Sequence, residues 1–141
     1  MSWQSYIDTL LAADGSGTAP VAQAAICGVS SGQESVWAAS PGFTVSVDEI
    51  KKLAGDRSNF GQTGVVIGGQ KCRMLRDQMD TEEVYALQLK TAADAEGNSY
   101  NVCVGRSATA IVIAKGTKDA NGGQVSSKVY GVVTHLRKSA M

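Results

Sequence analysis

The sequence predicts an α/β protein of the α+β type, with a central antiparallel sheet covered by helices. Three observations predict it: each end of the chain carries an amphipathic helical pattern, short β-type runs fill most of the middle, and turn residues separate those runs closely. Close spacing favours antiparallel hairpins, because parallel strands need long crossover connections.

The first helix is predicted over residues 2–12, with Ser2 as its cap and the turn at residues 14–17 as its end. Its apolar residues recur three and four positions apart, which is the spacing of one helical face. They are Trp3, Tyr6, Ile7, Leu10 and Leu11.

The middle of the chain predicts seven strands and one short helix. A capping-box pattern, Ser46 with Glu49, opens a helix that runs to about Ala54. Turn residues such as Gly68-Gly69 and Asn121-Gly122-Gly123 separate the later segments. The strands are expected at 21–29, 36–39, 64–68, 72–76, 84–89, 100–104 and 110–114.

The last helix is predicted from about Gly123 to Ser139, and Arg137 and Lys138 complement the negative end of its dipole. Its apolar stripe is Val125, Val129, Val132, Val133 and Leu136.

The composition is that of a globular chain: 141 residues, 43% hydrophobic and 18% charged. We expect one domain, 1–141. No apolar run approaches the length of a membrane span. We expect no signal peptide, because Asp8 interrupts the early apolar stretch and no basic residue precedes it.

The net charge is zero, but residues 1–50 contain five acidic and no basic residues. This polarity predicts either opposed charged faces or an ordinary solvated surface. No basic run with interleaved aromatic residues occurs, which disfavours nucleic acid as a partner.

Cys27, Cys72 and Cys103 are far apart and odd in number, so free thiols in a reducing cytosol are expected rather than disulfides. The chain offers no metal-ligand spacing, and we expect neither a metal nor a cofactor. A cysteine-dependent enzyme that pairs Cys27 or Cys72 with His135 stays open as an alternative.

The segment from Gly64 to Cys72 resembles a phosphate-binding loop only in part. Gln70 precedes Lys71 where the loop needs glycine, and Cys72 stands where it needs a hydroxyl residue. A Gly-Gly hairpin turn is the better interpretation.

Trp3 and Tyr6 lie one helical turn apart, and the only histidine, His135, lies in the other terminal helix. An aromatic stripe with this spacing is often core. Here Ile7, Leu10 and Leu11 supply the core positions, which leaves the two rings for the margin. Rings with polar donors suit a proline-rich ligand in the polyproline II conformation. If the helices lie side by side, Trp37 would complete such a site.

Several segments in this order resemble the profilin family over nearly the whole chain: Trp3-x-x-Tyr6, 35–39, 68–72, 100–102 and 135–137. The resemblance implies that both terminal helices pack on one sheet face and short helices on the other. It also implies a non-enzymatic cytoplasmic protein of the cytoskeleton and cell cortex. Such a protein binds monomeric actin and proline-rich proteins, promotes nucleotide exchange on actin and regulates filament assembly.

The resemblance also assigns residues to three surfaces. The proline-rich ligand would contact Trp3, Tyr6, Trp37, His135 and Met141. Actin would contact Lys71, Met74, Arg76, Lys90, Ser99, Asn101, Asn121, Gly123 and Tyr130. Phosphoinositide head groups at the membrane surface would contact Lys71, Arg76, Lys90, Arg137 and Lys138.

The chain departs from the family's vertebrate-like pattern at Gly61, Asn121, Gln124, Ser127 and Met141. Lost contact area at such positions weakens an interface. We therefore expect weaker actin binding than in typical relatives, and a divergent module that keeps only the proline-rich ligand is the second alternative.

Overall fold

A computed structural model describes residues 3–13, 15, 17–30, 32–55, 60–79, 81 and 84–139. The predicted Ser2 cap and part of the predicted 14–17 turn lie outside these residues, as does Met141. The helices are α1 (Trp3–Leu11), α2 (Val47–Ala54), α3 (Phe60–Thr63) and α4 (Gly122–Lys138). The strands are β1 (Val21–Gly28), β2 (Ser35–Ala39), β3 (Val65–Ile67), β4 (Gln70–Gln78), β5 (Ala86–Thr91), β6 (Asn101–Arg106) and β7 (Ala110–Gly116).

The strands form one sheet in the order β2-β1-β7-β6-β5-β4-β3, and every neighbouring pair is antiparallel. This confirms the predicted fold class. Strand β7 pairs with both β1 and β6, so it brings the N-terminal hairpin beside the later strands.

Two hydrophobic clusters lie on opposite faces of the sheet, because successive side chains of a strand alternate. On β7, Val112 packs with α1 and α4, whereas Ile111 and Ile113 pack with α2 and Phe60. The terminal helices thus share one face and the short helices share the other, as the resemblance implied. All five predicted stripe residues of α4 are buried.

Helix α4 lies close to the sheet where β6 lacks a side chain. A Cβ at Gly105 would come within 2.5 Å of Val133 and 2.6 Å of Val129. Gly105 therefore allows α4 to approach β6 closely at Val129 and Val133.

The Gly68-Gly69 turn is a two-residue hairpin between β3 and β4, with φ of 62° and 79°. Its two N–H groups donate to the Glu49 carboxylate, each at 3.0 Å. Glu49 also accepts from Ser46 N at 3.0 Å, which completes the predicted capping box. In a phosphate-binding loop, such backbone N–H groups would bind the phosphate. Here the Glu49 carboxylate accepts their hydrogen bonds instead.

The structure differs from the sequence prediction at two local features. Helix α3 was not predicted, because a four-residue segment with glycine and threonine has weak helix propensity; buried Phe60 holds it in place. Strand β5 begins at Ala86 rather than Val84, because Tyr85 has a φ of 49° and cannot continue a strand.

Candidate functional site

Four aromatic rings form a continuous row across α1, β2 and α4. Trp37 lies 4.7 Å from Trp3, Trp3 lies 5.6 Å from Tyr6, and Tyr6 lies 5.7 Å from His135, measured between ring centroids. All three pairs are tilted rather than stacked. The packing of α1 beside α4 brings together residues from both ends of the chain.

The rings differ in burial, and one of them corrects the sequence interpretation. Trp37 is 37% exposed and Trp3 is half-buried, whereas Tyr6 is only 5% exposed and belongs to the core cluster. The sequence predicts Tyr6 at the margin of the helix stripe. The structure shows instead that Tyr6 is a core residue that also lines the groove.

Trp37 is positioned by a glycine that the sequence interpretation missed. A Cβ at Gly28 would come within 2.5 Å of the Trp37 indole. The indole therefore lies directly over the end of β1, where only glycine leaves room for it.

A groove of about 370 Å³ continues from the rings along the seam between α1 and α4. Its lining adds residues that were not predicted. Most of them could have been found from helical spacing, because they lie three or four positions from Tyr6, His135 or each other and so share a helix face with them. The described residues that line it are Tyr6, Thr9, Ser127, Lys128, Gly131, Val132 and His135.

The residues that the resemblance assigns to actin do not line this groove and form two neighbouring groups. Two of them, Asn121 and Gly123, line a hollow that adjoins the groove at Ser127 and Lys128. Lys71, Met74 and Ser99 line a hollow of about 500 Å³ between α3, β4 and the loop after β5. Met74 packs against the hydrophobic cluster on the sheet face that α2 and α3 cover. Arg73, which was not predicted, pairs with Lys90 in the β4–β5 register.

The second group lies at the start of α4. Asn101 pairs with Lys90, and its amide donates to the Ala120 carbonyl at 3.1 Å. Asn121 caps α4 by accepting from Gln124 N at 2.8 Å, while the Gln124 side chain accepts from Asn121 N at 3.0 Å. Two departures from the family pattern thus form a capping box.

Tyr130 lies on a different side of α4 from His135. It is 51% exposed and lines a hollow of about 460 Å³ together with Val84, Tyr85 and Arg137, among others. Five helical residues correspond to a rotation of about 140° around the axis, which explains the separation.

The five basic residues assigned to phosphoinositides fall into two groups. Lys71, Arg76 and Lys90 lie on β4 and β5. Arg137 and Lys138 lie at the end of α4, and the Arg137 guanidinium lies 3.3 Å from the Tyr85 ring centroid. Arg137 Nε also donates to the Arg106 carbonyl at 2.8 Å. Arg137 is thus partly committed to contacts within the protein.

The alternative of a cysteine nucleophile finds no support in the geometry. Burial raises the pKa of Cys27 and Cys103 to about 12 and that of Cys72 to about 11, so the thiols stay protonated. Cys27 packs with α2 across the sheet from α4, which carries His135.

Among the described residues, no group of three or more histidine, cysteine, aspartate or glutamate side chains is arranged to hold a metal ion. Within the same part of the chain, no helix is long and apolar enough to cross a membrane.

The chain matches the family model described as Profilin over residues 1–141. It is 36% identical to Profilin-1 of Mus musculus, covering 97% of this chain and 96% of that protein. Among solved structures, it is similar to mouse Profilin IIa in complex with a double repeat from the FH1 domain of mDia1 (TM-score 0.88, 31% identity, all of both chains covered). It is also similar to human profilin II (TM-score 0.86, 32% identity, 97% of this chain and 99% of that chain covered).

Proposed function

This chain belongs to the profilin family, and from that premise we propose that it binds proline-rich ligands along the ring row and monomeric actin on the β4–β6 surface with the start of α4. The unit that carries both surfaces is a single domain, 1–141. It acts by binding rather than by making or breaking bonds.

The ring row is the observation that carries the proline-rich half of the proposal. Its centroid steps of 4.7, 5.6 and 5.7 Å follow a path of about 16 Å, roughly five residues of polyproline II at about 3.1 Å each. Proline rings pack on aromatic faces, while indole and phenol groups donate to ligand carbonyls. Such a ligand loses little conformational entropy because polyproline II is already extended.

Calorimetric titration with a proline decamer tests this half. Trp3→Ala removes the ring that contacts both Trp37 and Tyr6, so it should weaken binding roughly thirtyfold, the effect of losing an interface hot spot of about 2 kcal/mol. The matched control is Leu75→Ala, an exposed apolar residue on β4, which should leave the affinity unchanged. Equal affinities of Trp3→Ala and the unmodified protein would show that the ring row is not the site.

For actin, the proposed mechanism is linkage. A partner that binds one arrangement of the actin nucleotide cleft more tightly shifts actin toward that arrangement and so speeds nucleotide exchange. Holding a proline-rich protein at the same time would deliver actin to sites of assembly. Release of a fluorescent nucleotide from monomeric actin tests this mechanism; unchanged release would favour the module that keeps only the proline-rich ligand.

Phosphoinositide binding is proposed from the family resemblance, with Lys71, Arg76 and Lys90 as the contacting group. These three residues lie on neighbouring strands, and basic residues near an anionic membrane surface contribute about 1 kcal/mol each. We place the protein in the cytoplasm, at the cytoskeleton and cell cortex, where actin and anionic lipid meet.

A further inference from the structure

Lys128 stands at the far end of the groove from the tryptophans. It is half-buried, and its ammonium donates to the Thr9 carbonyl in the last turn of α1 at 3.2 Å. The ammonium has three donors, and this bond uses one of them. The position is fixed by α1, whose C-terminal carbonyls attract a cation.

The groove does not stop at Lys128. A second hollow of about 610 Å³ begins there, and Ser127 and Lys128 line both. Among the described residues that line the two hollows, Lys128 is the only lysine, arginine, aspartate or glutamate. A ligand that follows the groove therefore meets one fixed positive charge, that of Lys128. The other described lining residues are neutral side chains and His135.

Gly131 keeps the path between the rings and Lys128 open. It lies four residues before His135 and three after Lys128, on the same side of α4. Among the described residues, none comes within 4 Å of a Cβ built at Gly131, so α4 leaves the groove open at this position. His135 and Lys128 are seven residues apart, about 10.5 Å along the helix, which is three to four residues of polyproline II.

We propose that the groove selects proline-rich segments that carry an acidic residue three or four positions from the residue seated against Tyr6 and His135, with its carboxylate on the Lys128 ammonium. The inference rests on the proposed function and specifies its ligand. A neutral ligand would leave the two remaining donors of Lys128 to water, whereas an acidic residue would pair with them.

The test compares three peptides of eight prolines that differ only in flanking pairs of glutamate, glutamine or lysine at both ends. Flanks at both ends make the result independent of the direction in which the peptide lies. At low salt, the glutamate peptide should bind about two- to fivefold tighter than the glutamine peptide, the range of an exposed ion pair, and the lysine peptide should bind more weakly than either. Added salt should reduce the differences.

Lys128→Met keeps the apolar stem of the side chain and removes its charge, so it should abolish the preference for glutamate. The matched control is Lys118→Met, an exposed lysine in the loop before α4, which should preserve the preference. Equal binding of the glutamate and glutamine peptides, or a preference that survives in Lys128→Met, would overturn the inference while leaving the proposed function intact. If the glutamine peptide fails to bind at all, the proline-rich proposal fails and this inference fails with it.

Discussion

Glu49 accepts hydrogen bonds from three backbone N–H groups in two segments that lie about twenty residues apart in sequence. It joins the start of α2 to the hairpin between β3 and β4, and it is only 9% exposed. A buried carboxylate with three donors is strongly held, because each bond to a charged group is stronger than a neutral one.

Glu49→Gln should therefore destabilise the fold by about 1–3 kcal/mol, because one carboxylate oxygen is replaced by an NH2 group that donates and cannot accept from a backbone N–H. Urea unfolding measures the change. Asp119→Asn is the control: it makes the same chemical change at an exposed loop residue and should stay within about 0.5 kcal/mol. Equal stability of both variants would mean that the full set of three bonds is not needed.

Cys103 predicts a pH dependence whose sign follows from burial. Its pKa is raised to about 12 in the folded protein, against about 8.5 for an unfolded cysteine. Below pH 8 both states are protonated and the thiol has no effect. Above about pH 9 the unfolded chain loses the proton and the folded chain keeps it, so stability falls as pH rises.

At pH 10, Cys103→Ala should make the fall in stability with pH shallower by about 1.4 kcal/mol per pH unit, the value for one proton. Urea unfolding at pH 8, 9 and 10 measures the slope, and comparison with the unmodified protein cancels the lysines and tyrosines that also titrate there. An identical slope in the two proteins would contradict the burial of this thiol.

At the scale of elements, the packing of α4 on the sheet determines the geometry of the site. Val129 and Val133 face β6 at Gly105, and the other side of the helix presents Gly131 to the groove. Gly105 of β6 thus contacts the core side of α4, whereas Gly131 lies on the open side of the same helix.

Substitution by alanine should have opposite effects at these two glycines. Gly105→Ala places a methyl group about 2.5 Å from Val133, so it should destabilise the fold by about 1–3 kcal/mol through overpacking. Gly131→Ala fills open space in a helix interior and should stabilise the fold by about 0.5–1 kcal/mol. Thermal unfolding of the pair compares them directly; destabilisation of similar size in both would contradict this packing.

The elements that the sequence predicted correctly are those whose signal is local. The stripe of α4 repeats at helical spacing, and β7 is a short continuous apolar run, so both can be recognised from neighbouring residues alone. Helix α3 and the break at Tyr85 were missed because tertiary contacts, rather than local propensity, hold them in place. The helical spacing indicated Trp3 and Tyr6, but the place of Trp37 depends on Gly28, a contact between strands that no periodicity reveals.

At the scale of the whole molecule, α4 separates the ring row from Tyr130 and the β4–β6 surface. The proposed surfaces come nearest at the start of α4, where Asn121 and Gly123 line the hollow that adjoins the groove at Lys128. His135 faces the seam with α1, whereas Tyr130 faces β5 and the segment before it. Substitutions that are far apart and share no partner usually act independently, within about 0.5 kcal/mol. The proposed function therefore predicts that actin and a proline-rich ligand bind together without competing.

The most direct test measures both affinities on the same three proteins: the unmodified chain, Tyr130→Ala and His135→Ala. Calorimetry with monomeric actin and with a proline decamer gives the affinities, and circular dichroism confirms that each variant is folded. We predict that Tyr130→Ala weakens actin binding and leaves the decamer affinity unchanged, and that His135→Ala does the reverse. Loss of both activities in either folded variant would contradict the account of two separate binding surfaces.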